Sequence, residues 1–186
     1  MVPGQYYHVY NRGNNREDIF LETKNFGYFR RLYIKYIFSM ASTYAYCLLK
    51  NHFHFLIRIR EKANPKGFEN PSGLNPSYQF GKMFNAYAKA INKAYGRTGS
   101  LFQHPFKRVH IPTQTHLLHL VIYIHQNPQT HGLVNDFKRW PYSSFPQFLR
   151  NTNTFVDTKT LISWFGGLEN LIDAHRKLTE LDGLKE

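Results

Sequence analysis

TYAYCLLKNHFHFLIRI, running from Thr43 to Ile59, holds two β-prone runs parted by the polar pair Lys50-Asn51. Aromatic and β-branched residues on either side of a tight polar break predict a β-hairpin. Just upstream, Lys24 to Met40 places Phe26, Phe29, Leu32, Tyr33, Tyr36 and Ile37 at steps of three and four, the spacing of an amphipathic helix. Before that helix, YYHVY (Tyr6 to Tyr10) reads as a short strand ending in the turn-forming Asn11-Arg12-Gly13-Asn14-Asn15.

Downstream, Arg60 to Ser77 reads as a loop, because its three Asn-Pro pairs start turns and stop helices. Tyr78 to Tyr95 carries a second apolar stripe (Phe80, Met83, Phe84, Tyr87, Ala88, Ile91), with Gly96 at its C-terminal end. Leu101 to Pro112 is partly extended, and Val109 to Ile111 is its best strand. His116 to Asn127 predicts a third helix, capped by Thr113 or Thr115 and halted by Pro128 and Gly132. Phe137 to Phe148 is aromatic and rich in turns, and short helices are expected over Asp157 to Trp164 and Leu168 to Leu181. The order β-α-β-β-α-β is that of a ferredoxin-like α+β core with an antiparallel sheet, followed by extra C-terminal helices. The polar run at Asn151 suggests a boundary, giving a domain over residues 1–150 and a helical extension over 151–186.

Composition narrows the function. Against 12 acidic residues stand 24 Lys and Arg, a net charge of +12, which attracts polyanions and makes nucleic acid the leading partner. Aromatics supply 17% of the 186 residues, and exposed ones can stack on the open faces of unpaired bases. One cysteine, Cys47, excludes an internal disulfide framework and a cysteine-based zinc site. The N-terminus lacks the pattern of a signal peptide and no apolar run reaches the length of a membrane span, so a cytoplasmic protein without a membrane partner is expected.

Two groups of residues invite chemistry. On a strand His52 and His54 project from one face, with Phe53 turned the other way, which supplies two ligands of a divalent-metal site. Such a pair is common by chance in a chain with ten histidines. On the third helix, His119, Tyr123 and Asn127 lie four residues apart on one face. A solvent-facing polar stripe explains that spacing equally well, and Pro128 biases Asn127 away from helical geometry.

Four blocks carry a more specific signal: YYHVYNRGNNR (Tyr6 to Arg16), AYCLLKNHFHFLI (Ala45 to Ile57), FNAYAKAINKAYGRTGSLFQ (Phe84 to Gln103) and YIHQNPQTHGLV (Tyr123 to Val134). RWPYSSF (Arg139 to Phe145) extends them. In this order and spacing they resemble the REP-associated tyrosine transposases, a branch of the single-tyrosine HUH transposases. The chain departs from that pattern at Pro105, near which relatives carry an arginine, leaving Lys107 or Arg108 as replacements.

The resemblance implies that Tyr123 is the nucleophile, that His52 and His54 are metal ligands, and that Asn127 is the third. It implies Mg²⁺ or Mn²⁺ as the metal, with no small-molecule cofactor, and single-stranded or hairpin DNA as the partner of a monomer or homodimer. Cleavage would pass through a 5′-phosphotyrosine with a free 3′-OH, conserving the phosphodiester energy for rejoining. A phenol ionises near pH ~10 in water, so the phenolate needs a nearby metal or base, and His119 is a weak candidate for a proton relay. Arg12, Arg16, Lys82, Lys89, Lys93, Arg97, Lys107 and Arg108 lie in or near the matching blocks and are the expected DNA contacts, although any single one is more often a solvated charge. A non-catalytic nucleic-acid-binding protein on the same fold and a metal-dependent phosphodiesterase are the alternatives.

Overall fold

The computed structural model describes residues 1–61, 75–150 and 155–177. Most of the expected loop after Arg60, the expected linker at Asn151 and the end of the last expected helix lie outside the described residues.

Strands β1 (Tyr6–Arg12), β2 (Ala41–Leu48), β3 (His52–Ile59) and β4 (Lys107–Ile111) form one antiparallel sheet in the order β2-β3-β1-β4. Helix α1 (Thr23–Tyr36) joins β1 to β2, and α2 (Pro76–Ala94) lies between β3 and β4. This is the ferredoxin-like order expected from the sequence. The hairpin closes where Leu49 N–H donates to the His52 carbonyl at 2.8 Å.

Side-chain parity sorts the sheet into two faces. Tyr46, Phe53 and Phe55 turn toward α1 and α2, where Phe53 meets Phe29 and Phe84, and Tyr33 stacks on Phe55 at 4.4 Å. The Tyr33 hydroxyl bonds to Thr43 Oγ1 at 2.7 Å, so its polar tip is satisfied inside the core. His52, His54 and Leu56 turn to the opposite face, covered by α3 (Gln114–Thr130).

Helix α3 is longer than its sequence suggested. Thr113 caps it by accepting from His116 N–H, but Pro128 does not halt it. Proline removes one i→i−4 hydrogen bond, that to Ile124, yet leaves the flanking ones. His131 N–H still donates to the Asn127 carbonyl, and Pro128 is buried. Gly132 then ends the helix with φ +67°. Asn127 therefore keeps helical register with Tyr123.

The turn after β1 depends on Gly13, where a Cβ would collide with the Glu17 carbonyl. Beyond α3, helices α4 (Phe145–Arg150), α5 (Thr158–Trp164) and α6 (Leu168–Lys177) follow. Asp157 N–H donates to the Thr43 carbonyl, tying the start of α5 to β2. His175 of α6 bonds to His125 of α3 at 2.8 Å, so the C-terminal helices pack on the same core.

Candidate active site

Strand pairing assembles the site from residues distant in sequence. Tyr10 lies opposite His54 and Arg12 opposite His52, and all four side chains face α3. The rings of His52 and His54 sit 5.1 Å apart at 90°. From α3, Tyr123 places its ring edge-on to His54 at 5.5 Å and to His8 at 6.4 Å. One turn later, Asn127 Oδ1 stands 3.3 Å from His52 Nε2. Tyr123 is half-buried, whereas His52, His54 and Asn127 are buried.

Burial disfavours the charged form of the imidazoles here. Burial pushes His52 down to about 4, helped by His131 and Arg12 and opposed by its bond to Asn127. Burial holds His54 well below the usual range, with His8, His52, His131 and Arg12 adding to the effect. His8 falls to about 3, again chiefly through burial and secondarily through His116. Neutral imidazole is the form that ligates metals.

Hydrogen bonds fix where the lone pairs point. Asn51 Oδ1 is an acceptor 2.6 Å from His52 Nδ1, so Nδ1–H donates and Nε2 keeps its lone pair. With that tautomer the Nε2 lone pair and Asn127 Oδ1, 3.3 Å away, face a common space. His54 Nδ1 lies 2.9 Å from His8 Nε2. With the proton on Nδ1, His54 donates to His8 and keeps the Nε2 lone pair. Each candidate ligand thus has a partner that orients its ring. The donor set is two imidazoles and an amide oxygen, and no group of three or more His, Cys, Asp or Glu able to hold a metal occurs among the described residues. These donors fit one divalent cation with open positions left for oxygen ligands.

The 30% sequence identity of this chain to a putative REP-associated tyrosine transposase of Haemophilus influenzae extends over 109 residues, 55% of this chain and 58% of that relative. The chain therefore matches somewhat over half the relative's length. A solved structure described as a REP-associated tyrosine transposase bound to a REP hairpin matches 83% of this chain and 85% of its own, with a TM-score of 0.62 at 19% identity. The chain resembles REP-associated tyrosine transposases in sequence and in fold. No family model matches it.

Against that likeness, the residues expected from the sequence divide into groups. His52, His54, Tyr123 and Asn127 come together, and Arg12 joins them closely enough to depress both histidines. Lys107 pairs with Tyr10 and shares its face, whereas Arg108 pairs with Val9 on the other. Lys89 and Lys93 are exposed along α2, and Arg16 is exposed in the turn after β1. Arg97 is ion-paired to Glu17, which reduces its free charge. His119 lies one turn before Tyr123, half-buried on α3.

Three members of the site were missed by sequence reasoning. His8 and Tyr10 alternate with Arg12 on β1, a period-two signal readable only once β1 is known to pair with β3. His131 continues the line of Tyr123 and Asn127 by another four residues, and its ring lies 4.8 Å from His52. Expecting α3 to stop at Pro128 concealed it.

Proposed function

We propose that this chain is a metal-dependent tyrosine transposase that cleaves and rejoins single-stranded or hairpin DNA of the repetitive-palindrome type. The observation that carries the reading is the convergence of Tyr123 and Asn127, one turn apart on α3, upon the His52/His54 pair of β3. The sequence relative and the hairpin-bound structural neighbour support it.

In this reading His52, His54 and Asn127 hold Mg²⁺ or Mn²⁺. When bound, that ion supplies Lewis-acid stabilisation of charge on the scissile phosphate. Arg12 adds a fixed positive charge beside it. Tyr123 Oη attacks phosphorus and loses its proton, the P–O3′ bond breaks, and the 3′-oxygen leaves and takes up a proton. A 5′-phosphotyrosine results, and attack by a second 3′-OH reverses the step on another end. Tyr123 is half-buried, so part of its side chain is open to an approaching strand. The basic residues Arg16, Lys89, Lys93, Arg97, Lys107 and Arg108 contribute attraction to phosphates.

A covalent-adduct assay tests the proposal. Wild type and Tyr123→Phe are mixed with labelled hairpin DNA from repeats flanking the gene, in Mn²⁺ or EDTA, and run on a denaturing gel. A metal-dependent protein–DNA band absent from Tyr123→Phe is expected. Cleavage without a band in either protein would replace the reading with a water-activating phosphodiesterase. Binding with no cleavage would replace it with a non-catalytic binding module.

A further inference from the structure

Behind the active site, on the opposite side of β1, lies a cavity of about 490 Å³. Helix α2 forms one wall and the segment from Gly99 to Phe106 the other, with Asn11 at its base. Two small residues of α2, Gly81 and Ala88, leave the room, and a Cβ at Gly81 would meet nothing within 4 Å. The floor is aromatic: Phe84 packs against Phe102 at 5.5 Å and against the half-buried Phe106 at 5.3 Å.

The polar groups around this floor are the amides of Asn11, Asn85 and Asn92, the Lys89 cation, Ser100 and His104. Exposed Asn85 and Lys89 stand at the rim. Asn92 donates through Nδ2 to the Gly99 carbonyl at 2.9 Å, while its Oδ1 is buried with no hydrogen-bond partner. A buried acceptor left over costs free energy until a donor meets it. Among the described residues, no acidic one lines the cavity. An apolar slot with a few convergent polar groups is the usual form of a small-ligand site. Aromatic faces, amides and a cation free of acidic neighbours are together the surroundings that suit a nucleobase and its phosphate.

The cavity is also wired to the active site. Gln103 N–H donates to the Arg12 carbonyl at 2.9 Å, and Asn11 Nδ2 donates to the Gln103 carbonyl at 3.2 Å. Asn11 faces the cavity while Arg12, the next residue, faces His52. The cavity and the active site therefore lie on opposite faces of the same end of β1.

We infer that this cavity receives one unpaired nucleobase of the bound DNA strand, with its ring against the Phe84–Phe102–Phe106 floor and its edge toward the Asn85 and Asn92 amides. The inference rests on the proposed single-strand DNA chemistry, and it makes α2 a base-reading element rather than only a source of positive charge.

The test uses the full chain and a DNA hairpin with an oligothymidine arm, in which 5-iodouracil replaces thymine for photo-crosslinking. Wild type is expected to yield a crosslinked peptide containing Phe102 or Phe106. Ala88→Phe, which fills the cavity, should lose that crosslink and bind the hairpin about tenfold more weakly. Thermal unfolding checks that it is folded, and Asn85→Ala, at an exposed position, gives the same readout without a packing change. Crosslinks confined to other segments, or an unchanged crosslink in both variants, would overturn the inference. If that happens while wild type still forms the Tyr123 adduct, only the base pocket falls. If wild type binds no hairpin at all, the pocket and the proposed function fall together.

Discussion

At His54 the proposed metal site turns on one proton, the one shared with His8 across 2.9 Å. When His54 Nε2 holds a cation, the proton must sit on Nδ1 and be donated to His8. His8→Ala removes that acceptor, and Mn²⁺ affinity should fall by about 10–100-fold, as for other partners of metal-ligating histidines. Calorimetric titration of the free protein measures it, and an unchanged affinity would remove His8 from the site. A residue of the other face gives a purely structural contrast. Tyr33→Phe leaves Thr43 Oγ1 without its buried partner and should cost about 1–2 kcal/mol in urea unfolding, with metal binding untouched.

Among the elements, α3 places Tyr123 and Asn127 in the proposed site, and its last turn runs on through Pro128. The helix passes through Pro128 and ends only at Gly132, whose φ of +67° suits glycine. A Cβ at Gly132 meets nothing within 4 Å, so Gly132→Ala isolates the backbone term and should cost about 1 kcal/mol. Gly13→Ala should cost more, because there the Cβ meets the Glu17 carbonyl as well. Denaturant midpoints of the two variants give the comparison, and equal losses would contradict it.

Over the whole molecule, buried imidazoles and surplus charge set the response to solution conditions. His175, buried against His125 and donating to the Leu171 carbonyl, is pushed down to about 4 by burial. Burial also holds His125 well below the ordinary range, with His175 adding to the effect. An unfolded histidine takes a proton near pH ~6.5. The unfolded state therefore binds more protons below that point, so stability is full above it and declines as pH falls toward about 4. Urea unfolding across that interval should show the decline, and a flat profile would mean that these imidazoles are not buried neutral. DNA affinity should fall steeply with salt, given the net charge of +12. Removing Lys89 and Lys93 together should shallow the slope of log K against log salt by about 1–2. A slope identical to wild type would place the DNA path elsewhere.

The sequence by itself determined the order of the core strands and helices, because apolar residues repeat at helical or strand period wherever an element must bury one face; helix α4 (Phe145–Arg150), in a stretch that reads as turns, it did not. It settled β3 to the residue, since His52 to Ile59 is bounded by a tight polar break and a proline-rich stretch. It also singled out His52, His54, Tyr123 and Asn127, which parity and helical spacing place on common faces within their own elements. Only the tertiary structure decided that those two faces meet. The β1–β3 register brings His8, Tyr10 and Arg12 into the cluster, and register depends on pairings between residues forty or more positions apart. Likewise α3 continues past Pro128, because burial of that turn outweighs a local preference that the sequence states correctly. Local propensity is written in neighbouring residues, whereas the company that each element keeps is fixed by the shared core.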